Sequence, residues 1–106
     1  MKGMGGNLQQ MMRQANQMQN KIKKLQEELA TREFEGSAGG GAVTCKVTGD
    51  NKVLAMEINP EVVSADDLEM LQDMIVAATN EALRTAKDTS DQEMSKITGG
   101  INLPGF

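Results

Sequence analysis

The first third of the chain carries apolar residues at alternating spacings of three and four. They are Leu8, Met11, Ala15, Met18, Ile22, Leu25 and Leu29. This is the a/d pattern of a coiled-coil heptad. It predicts one long helix from about Leu8 to about Arg32, with Asn7 as its N-cap. Because so narrow a stripe on so long a helix needs a partner, we expect these residues to form a homodimer interface.

The middle third changes to the twofold alternation of strands. Residues 32–35 are expected to leave the helix as a short strand with Phe34 pointing inward, and the glycine-rich run 36–41 to form a flexible loop. Residues 42–48 and 52–58 predict a β-hairpin, because a Gly-Asp-Asn turn signal separates two alternating runs. The side chains predicted to face the core are Val43, Cys45, Val47, Leu54, Met56 and Ile58.

A second helix is predicted after Pro60, which ends the third strand. Ser64 is the expected cap, and Asp66 and Asp67 would lie favourably in the first turn. The helix should reach at least Lys87, with Gly99 and the glycine after it as the stop signal. Its predicted apolar face comprises Leu68, Leu71, Met74, Ile75, Ala78, Ala82, Leu83 and Ala86.

These elements predict an α+β fold in the order α-β-β-β-α. A long N-terminal helix and a C-terminal helix would flank a small antiparallel sheet of three strands. The 106 residues suit one domain, 1–106, and residues 1–7 and 99–106 are expected to be mobile tails.

Composition excludes most kinds of active site. The chain has no His, so neither Ser-His-Asp catalysis nor His-containing zinc sites can be built from it. We therefore expect no enzyme, no cofactor, no metal and no small-molecule substrate. Two Phe with no Tyr or Trp leave almost no platform for base stacking. The longest apolar run, 74–78, is too short to span a bilayer, so a cytoplasmic protein without a membrane partner is expected.

Three further features have simpler structural explanations than chemical ones. Cys45 lies on an inward strand face without a cationic neighbour there, which predicts a packing role. The glycine run 36–41 precedes a strand, whereas a phosphate-binding loop precedes a helix. The acidic clusters at 66–69 and 88–93 fit neither an EF-hand nor a two-metal spacing.

The charge is divided unevenly along the chain. Residues 1–26 hold five cations and no acid, whereas the remaining 80 residues hold six bases and fifteen acids and carry a local charge of −9. The five cations are Lys2, Arg13, Lys21, Lys23 and Lys24. Together with seven nearby Gln and Asn residues, they could contact phosphates or groove edges. A solvated coiled-coil exterior with Lys23–Glu27 and Lys24–Glu28 pairs is the alternative, and the charge pattern alone favours it.

The order of these segments resembles the YbaB/EbfC family of bacterial nucleoid-associated proteins over essentially the whole length. The segments that carry the resemblance are the Gly/Met-rich start at 1–8, the Gln/Met-rich stretch at 9–15, Leu25-Gln26-Glu27-Glu28-Leu29, the strand Val43-Thr44-Cys45-Lys46-Val47 after the glycine loop, and the ending Gly99-Gly100-Ile101-Asn102-Leu103-Pro104-Gly105-Phe106.

The resemblance implies an α-β-β-β-α protomer in a tweezer-like homodimer. It also implies binding of double-stranded DNA with little sequence preference, a place in the nucleoid, and influence on gene expression. DNA binding in the family is attributed to the protruding helices. The corresponding residues here are Arg13, Lys21, Lys23 and Lys24, with Lys2 in the mobile N-terminal segment. A dimeric protein-interaction scaffold with no direct DNA role is the alternative.

Overall fold

The structure, a computed structural model, describes residues 2–99, with side chains from Asn7 onward. Two helices, three strands and one 3-10 turn make up this part of the chain. They are α1 (Lys2–Thr31), β1 (Glu33–Ala38), β2 (Val43–Thr48), β3 (Val53–Ile58), a 3-10 turn (Pro60–Val62) and α2 (Leu68–Thr98). The predicted α-β-β-β-α order is confirmed.

The first helix begins earlier than its apolar pattern indicates. It starts at Lys2, so Asn7 lies inside α1 and the expectation that it caps the helix is wrong. The residues before Leu8 continue the helical backbone although three of them are glycines, which lower helix propensity. The expected tail 1–7 therefore overlaps α1 from Lys2 on. Of the expected tail 99–106, all but Gly99 lies outside the described residues.

The three strands form one antiparallel sheet in the order β1-β2-β3. Cys45 lies at its centre, opposite Gly36 on one side and Met56 on the other. A register shift between Lys46 and Val47 interrupts the β2–β3 pairing. The hairpin and the inward side chains of β2 are confirmed, since Val43, Cys45 and Val47 are fully buried.

The glycine-rich run is only partly a loop. β1 continues through Gly36 to Ala38, and the turn to β2 is confined to residues 39–42. A Cβ on Gly36 would overlap the backbone of α2 at Ala78 and Ala82, so this position in the strand requires glycine. The sequence signals a loop here because glycine is rare in strands, whereas its actual role is to let a helix approach closely.

The core lies between α2 and the sheet. Its buried members are Leu29, Phe34, Val43, Cys45, Val47, Ala78, Ala82 and Ala86. The alanines share one face of α2, and their small side chains allow the helix to lie directly on β1 and β2. Because α2 packs on β1 and β2, Leu54 at the start of β3 stays 50% exposed, and its prediction as a core residue is wrong. Leu68, at the first position of α2, is also exposed.

Asp67 caps the N-terminus of α2 and Gly99 its C-terminus. Asp67, not Ser64, is the N-cap, and its carboxylate accepts from the Met70 N–H at 3.2 Å. The Ser64 hydroxyl instead accepts from the Asp66 N–H within a turn. The C-terminal stop is confirmed, because Gly99 adopts a left-handed backbone with φ of 65°.

Candidate nucleic-acid interface

The part of α1 furthest from the sheet is a helix with little around it. We call residues 7–21 the arm and the remainder of the described chain the body. Every arm residue except Met18, which is half-buried, is exposed. The molecule is correspondingly elongated, with principal extents of 79 × 20 × 18 Å.

The apolar stripe of α1 divides at the boundary between arm and body. Leu8 and Met11 are 58% and 64% exposed, whereas Ile22 and Leu29 are 3% and 4% exposed. The second half of α1 packs on α2, so its apolar residues are covered within one chain. The seven predicted interface residues therefore fall into two groups, with Leu8, Met11 and Ala15 exposed, Met18 and Leu25 half-buried, and Ile22 and Leu29 buried.

The β2–β3 turn holds the body end of α1. Gly49 lies against the Leu29 carbonyl so closely that a Cβ would overlap the oxygen, and its N–H donates to the Arg32 carbonyl at 3.2 Å. The Thr48 hydroxyl donates to the Asp50 carboxylate and lowers the pKa of that carboxyl, with a smaller contribution from Lys52. The arm therefore projects from a fixed base.

The cations of α1 lie opposite its apolar stripe. Arg13, Lys21, Lys23 and Lys24 are all exposed. At about 100° per residue they span an arc of about 160°, whose centre faces away from the stripe. Arg13 and Lys24 are nearly in line and lie about 17 Å apart along the helix axis. The geometry brings these four predicted site residues onto one surface, whereas the Lys2 side chain is outside the described part.

Among the described residues, no acid forms an ion pair with this surface. The four ion pairs among the described side chains all lie in the body, and they involve only Lys46, Lys52 and Lys96 as cations. In particular, the helical pairs expected from Lys23 and Lys24 to Glu27 and Glu28 do not form. The ion pairs that would accompany a solvated exterior are therefore not among those observed.

The body has the opposite character. On the open face of the sheet, Lys46 on β2 lies between Glu35 on β1 and Glu57 on β3, with N–O distances of 3.6 and 4.0 Å. One cation is shared by two carboxylates, so this face keeps a negative excess. A polyanion is repelled there and attracted to the arm.

The sequence profile of the YbaB/EbfC DNA-binding family matches residues 4–101. The chain belongs to the YbaB/EbfC DNA-binding family. This is a DNA-binding family and not a family of enzymes, so the chain has a DNA-binding role.

Curated relatives in the YbaB/EbfC family cover almost the whole chain. A nucleoid-associated protein of Clostridium novyi is 52% identical over 98% of this chain and 93% of its own length. One from Pelotomaculum thermopropionicum is 50% identical, over 97% and 98% respectively. An uncharacterized protein from Helicobacter pylori, of known crystal structure, has the same fold, with a TM-score of 0.66 at 19% identity over 91% of this chain and 94% of that one.

Other kinds of site find no support in the residues that the structure describes. Within that part of the chain, no three acidic or cysteine side chains gather where a metal ion could sit. None of its helices is long and apolar enough to cross a membrane. Cys45 is completely buried, in accord with the predicted packing role.

The sequence of this YbaB/EbfC chain is enough to place the cations of α1. It does not show that the apolar stripe is buried in the body and exposed in the arm. Ile22 and Leu29 were assigned to the same interface as Leu8, although they are covered by the chain itself. A signal was present at Met94 and Ile97, which continue the apolar pattern of α2 and are half-buried. A second helix of that length can cover the end of the first.

Proposed function

We propose that this chain acts in the nucleoid by binding double-stranded DNA as a homodimer, with low sequence specificity, through the cations of the arm and the adjoining turn of α1. The single observation that carries the proposal is the surface of four exposed cations with no acid paired to them. The names of the curated relatives support the place of action.

Low specificity follows from the kind of contact proposed. Cations that meet phosphates hold the protein on the duplex but carry no sequence information. Such binding releases counterions, so log K falls with log salt at about −0.9 per phosphate. If about half of eight cations in a dimer reach phosphates, the slope is about −3.6. Affinity would then fall about 150-fold between about 50 and 200 mM salt.

The test replaces Lys21, Lys23 and Lys24 together by Gln, which keeps helix propensity and leaves the apolar stripe intact. For this variant we expect log K to fall with log salt at a slope of about −0.9. Its DNA affinity should then fall only about fourfold over the same salt range. The matched control replaces Lys52, Lys87 and Lys96 by Gln, an equal change of charge in the body. Fluorescence anisotropy with a labelled duplex gives both slopes. Equal slopes for the two variants would contradict the proposal.

The homodimer is supported by the exposed half of the apolar stripe, since no described residue of the same chain covers Leu8 or Met11. Sedimentation should give a mass near twice 11.4 kDa. Met11→Asp places a carboxylate in the stripe and should dissociate the dimer, because an unpaired buried charge is costly. Met12→Asp is the matched control, as this neighbour is equally exposed but lies off the stripe. A monomeric wild type, or equal dissociation by both variants, would contradict the dimer.

A further inference from the structure

A second stripe of residues runs along α1 from the edge of the apolar stripe onto the opposite face. It consists of Gln10, Arg13, Gln14, Gln17, Asn20, Lys21 and Lys24. The row Gln10, Gln14, Gln17, Lys21 and Lys24 recurs at spacings of four and three, and Arg13 and Asn20 lie directly beside it. At about 100° per residue all seven fall within an arc of about 120°. All seven are exposed. We call these seven residues the amide–cation stripe.

The stripe is unusual because of what its four uncharged members can do. Each amide presents both a hydrogen-bond donor and an acceptor. A phosphate surface needs only donors, whereas base edges in the major groove present both acceptors and donors. Gln and Asn side chains pair with the adenine edge there by two hydrogen bonds. The stripe therefore offers hydrogen-bond acceptors as well as donors, whereas contact with phosphates uses only the donors.

The shape of the arm fits the same site. A helix with its side chains is about 10–12 Å across, and the major groove of B-form DNA is about 12 Å wide and about 8.5 Å deep. The minor groove, at about 6 Å, is too narrow for a helix. In the proposed homodimer the second copy covers the apolar stripe, whereas the amide–cation stripe stays exposed on the outside and can face a groove.

We propose that the arm lies in the major groove of duplex DNA, with the amide–cation stripe directed at the base edges. Gln10, Gln14 and Gln17 contact the bases, and the lysines beside them contact the phosphates at the groove walls. A Gln amide that makes a single hydrogen bond can meet an acceptor or a donor on several base edges, so sequence preference stays weak unless both bonds form with adenine. This inference rests on the proposed DNA binding, which it deepens by naming the groove and the residues that enter it.

The test uses one duplex sequence in three forms, with the wild-type full chain. In the first the duplex is unmodified, in the second its cytosines carry 5-glucosyl-hydroxymethyl groups that fill the major groove, and in the third netropsin occupies the minor groove. We expect glucosylation to weaken binding at least about tenfold, because a helix in the groove would collide with the sugars. Netropsin should change the dissociation constant by less than about twofold, because the minor groove is not used.

Two matched variants locate the contact on the helix. Gln10, Gln14 and Gln17 are replaced by Ala in the first, and Gln9, Asn16 and Gln19, which lie off the stripe, in the second. Alanine favours the helix, and neither variant changes the charge. The first should bind the unmodified duplex about tenfold more weakly with an unchanged salt slope, since each lost neutral hydrogen bond is worth about a fewfold in affinity. The second should bind as the wild type does.

The outcomes separate this inference from the proposed function. Binding of the glucosylated duplex at full affinity, or displacement by netropsin, would overturn the major-groove contact while leaving DNA binding by the arm intact. Equal binding by the two amide variants would overturn the role of the stripe. Failure to bind any of the three duplexes would instead contradict the proposed function itself.

Discussion

The arm and the body use one helix in two different ways. In the body, the apolar stripe of α1 meets α2 and the β2–β3 turn, and its residues are buried. In the arm, the same stripe continues without cover and the opposite face holds amides and cations. A regular sequence pattern therefore shows that a helix will form and which face is apolar, but not what covers that face. Whether that apolar face is buried depends on the length and path of the other elements.

Charge follows the same division. The arm contains cations and no acids, whereas the remainder of the chain holds all fifteen acids. The net charge of −4 is the sum over two regions of opposite sign and describes neither of them. A polyanion that approaches at low salt is directed to one end of an elongated molecule. An acidic protein can in this way bind DNA.

The largest expected difference between the regions is the loss in free energy of unfolding when a leucine of the apolar stripe is replaced by alanine. Leu29→Ala should destabilise the body by about 3 kcal/mol, because it leaves a cavity among residues that are already covered. Its cost should not depend on protein concentration. Leu8→Ala removes a side chain that the second copy covers in the proposed homodimer, so its cost should grow with protein concentration.

Urea unfolding of both variants across a wide range of protein concentration measures this difference. The wild type supplies the reference at each concentration. A Leu8→Ala cost that equals the Leu29→Ala cost at every concentration would mean that arm and body are not distinct. A cost near zero throughout would mean that no partner covers the arm.

A smaller effect is expected at the centre of the body. Cys45→Ala should lower the free energy of unfolding by about 1 kcal/mol and leave DNA affinity unchanged, because the thiol is completely buried in the core and is not part of the cationic surface of α1. Cys45→Ser should cost more, since a buried hydroxyl needs a partner that this apolar core does not offer. Thermal unfolding and anisotropy measure the two properties. Weaker DNA binding by a fully folded Cys45→Ala protein would break the separation of the regions.

The smallest effect concerns pH and the turn that holds the arm. The Thr48 hydroxyl and Lys52 lower the pKa of Asp50 below its ordinary value of 3.8. A carboxyl whose pKa is lower in the folded state stabilises the fold above the unfolded pKa and loses this contribution as pH falls through the folded pKa. The Tm of Asp50→Asn should therefore fall less steeply than that of the wild type below about pH 4.

Asp73→Asn, on the exposed side of α2, controls for the loss of one negative charge. Calorimetry of the three proteins from neutral to acidic pH compares the curves. If Asp50→Asn follows the wild type at every pH, the Asp50 carboxylate does not contribute to the stability of the turn.

Most of the fold could be predicted because its signals are local. The heptad of α1, the alternation in β2 and the glycine after Thr98 each act within a few residues, and each prediction was confirmed. The errors arose where tertiary contacts decide the outcome. Gly36 was predicted in a loop because nothing local indicates that α2 passes directly over it, and Leu54 was placed in the core because its strand position alone does not show where α2 lies.

The candidate site was accessible to sequence reasoning in a similar, partial way. The cations could be placed on one side of α1 from their numbers alone, because helical geometry is regular. Whether Lys23 and Lys24 pair with Glu27 and Glu28 could not be predicted, since exposed side chains choose among several partners and water at little cost. In the structure these pairs are absent among the described residues, and the four cations stay exposed.

The central claim is that DNA is held by the arm with the adjoining turn of α1, and not by the sheet or α2. It is tested most directly by NMR of the ¹⁵N-labelled protein titrated with a short duplex at low salt. We predict that backbone amide signals from 10–24 shift or broaden, and that signals from the sheet and from the first half of α2 stay in place. The same titration with added salt should reverse the changes. Shifts concentrated on the sheet or on α2, with the arm signals unmoved, would contradict the account.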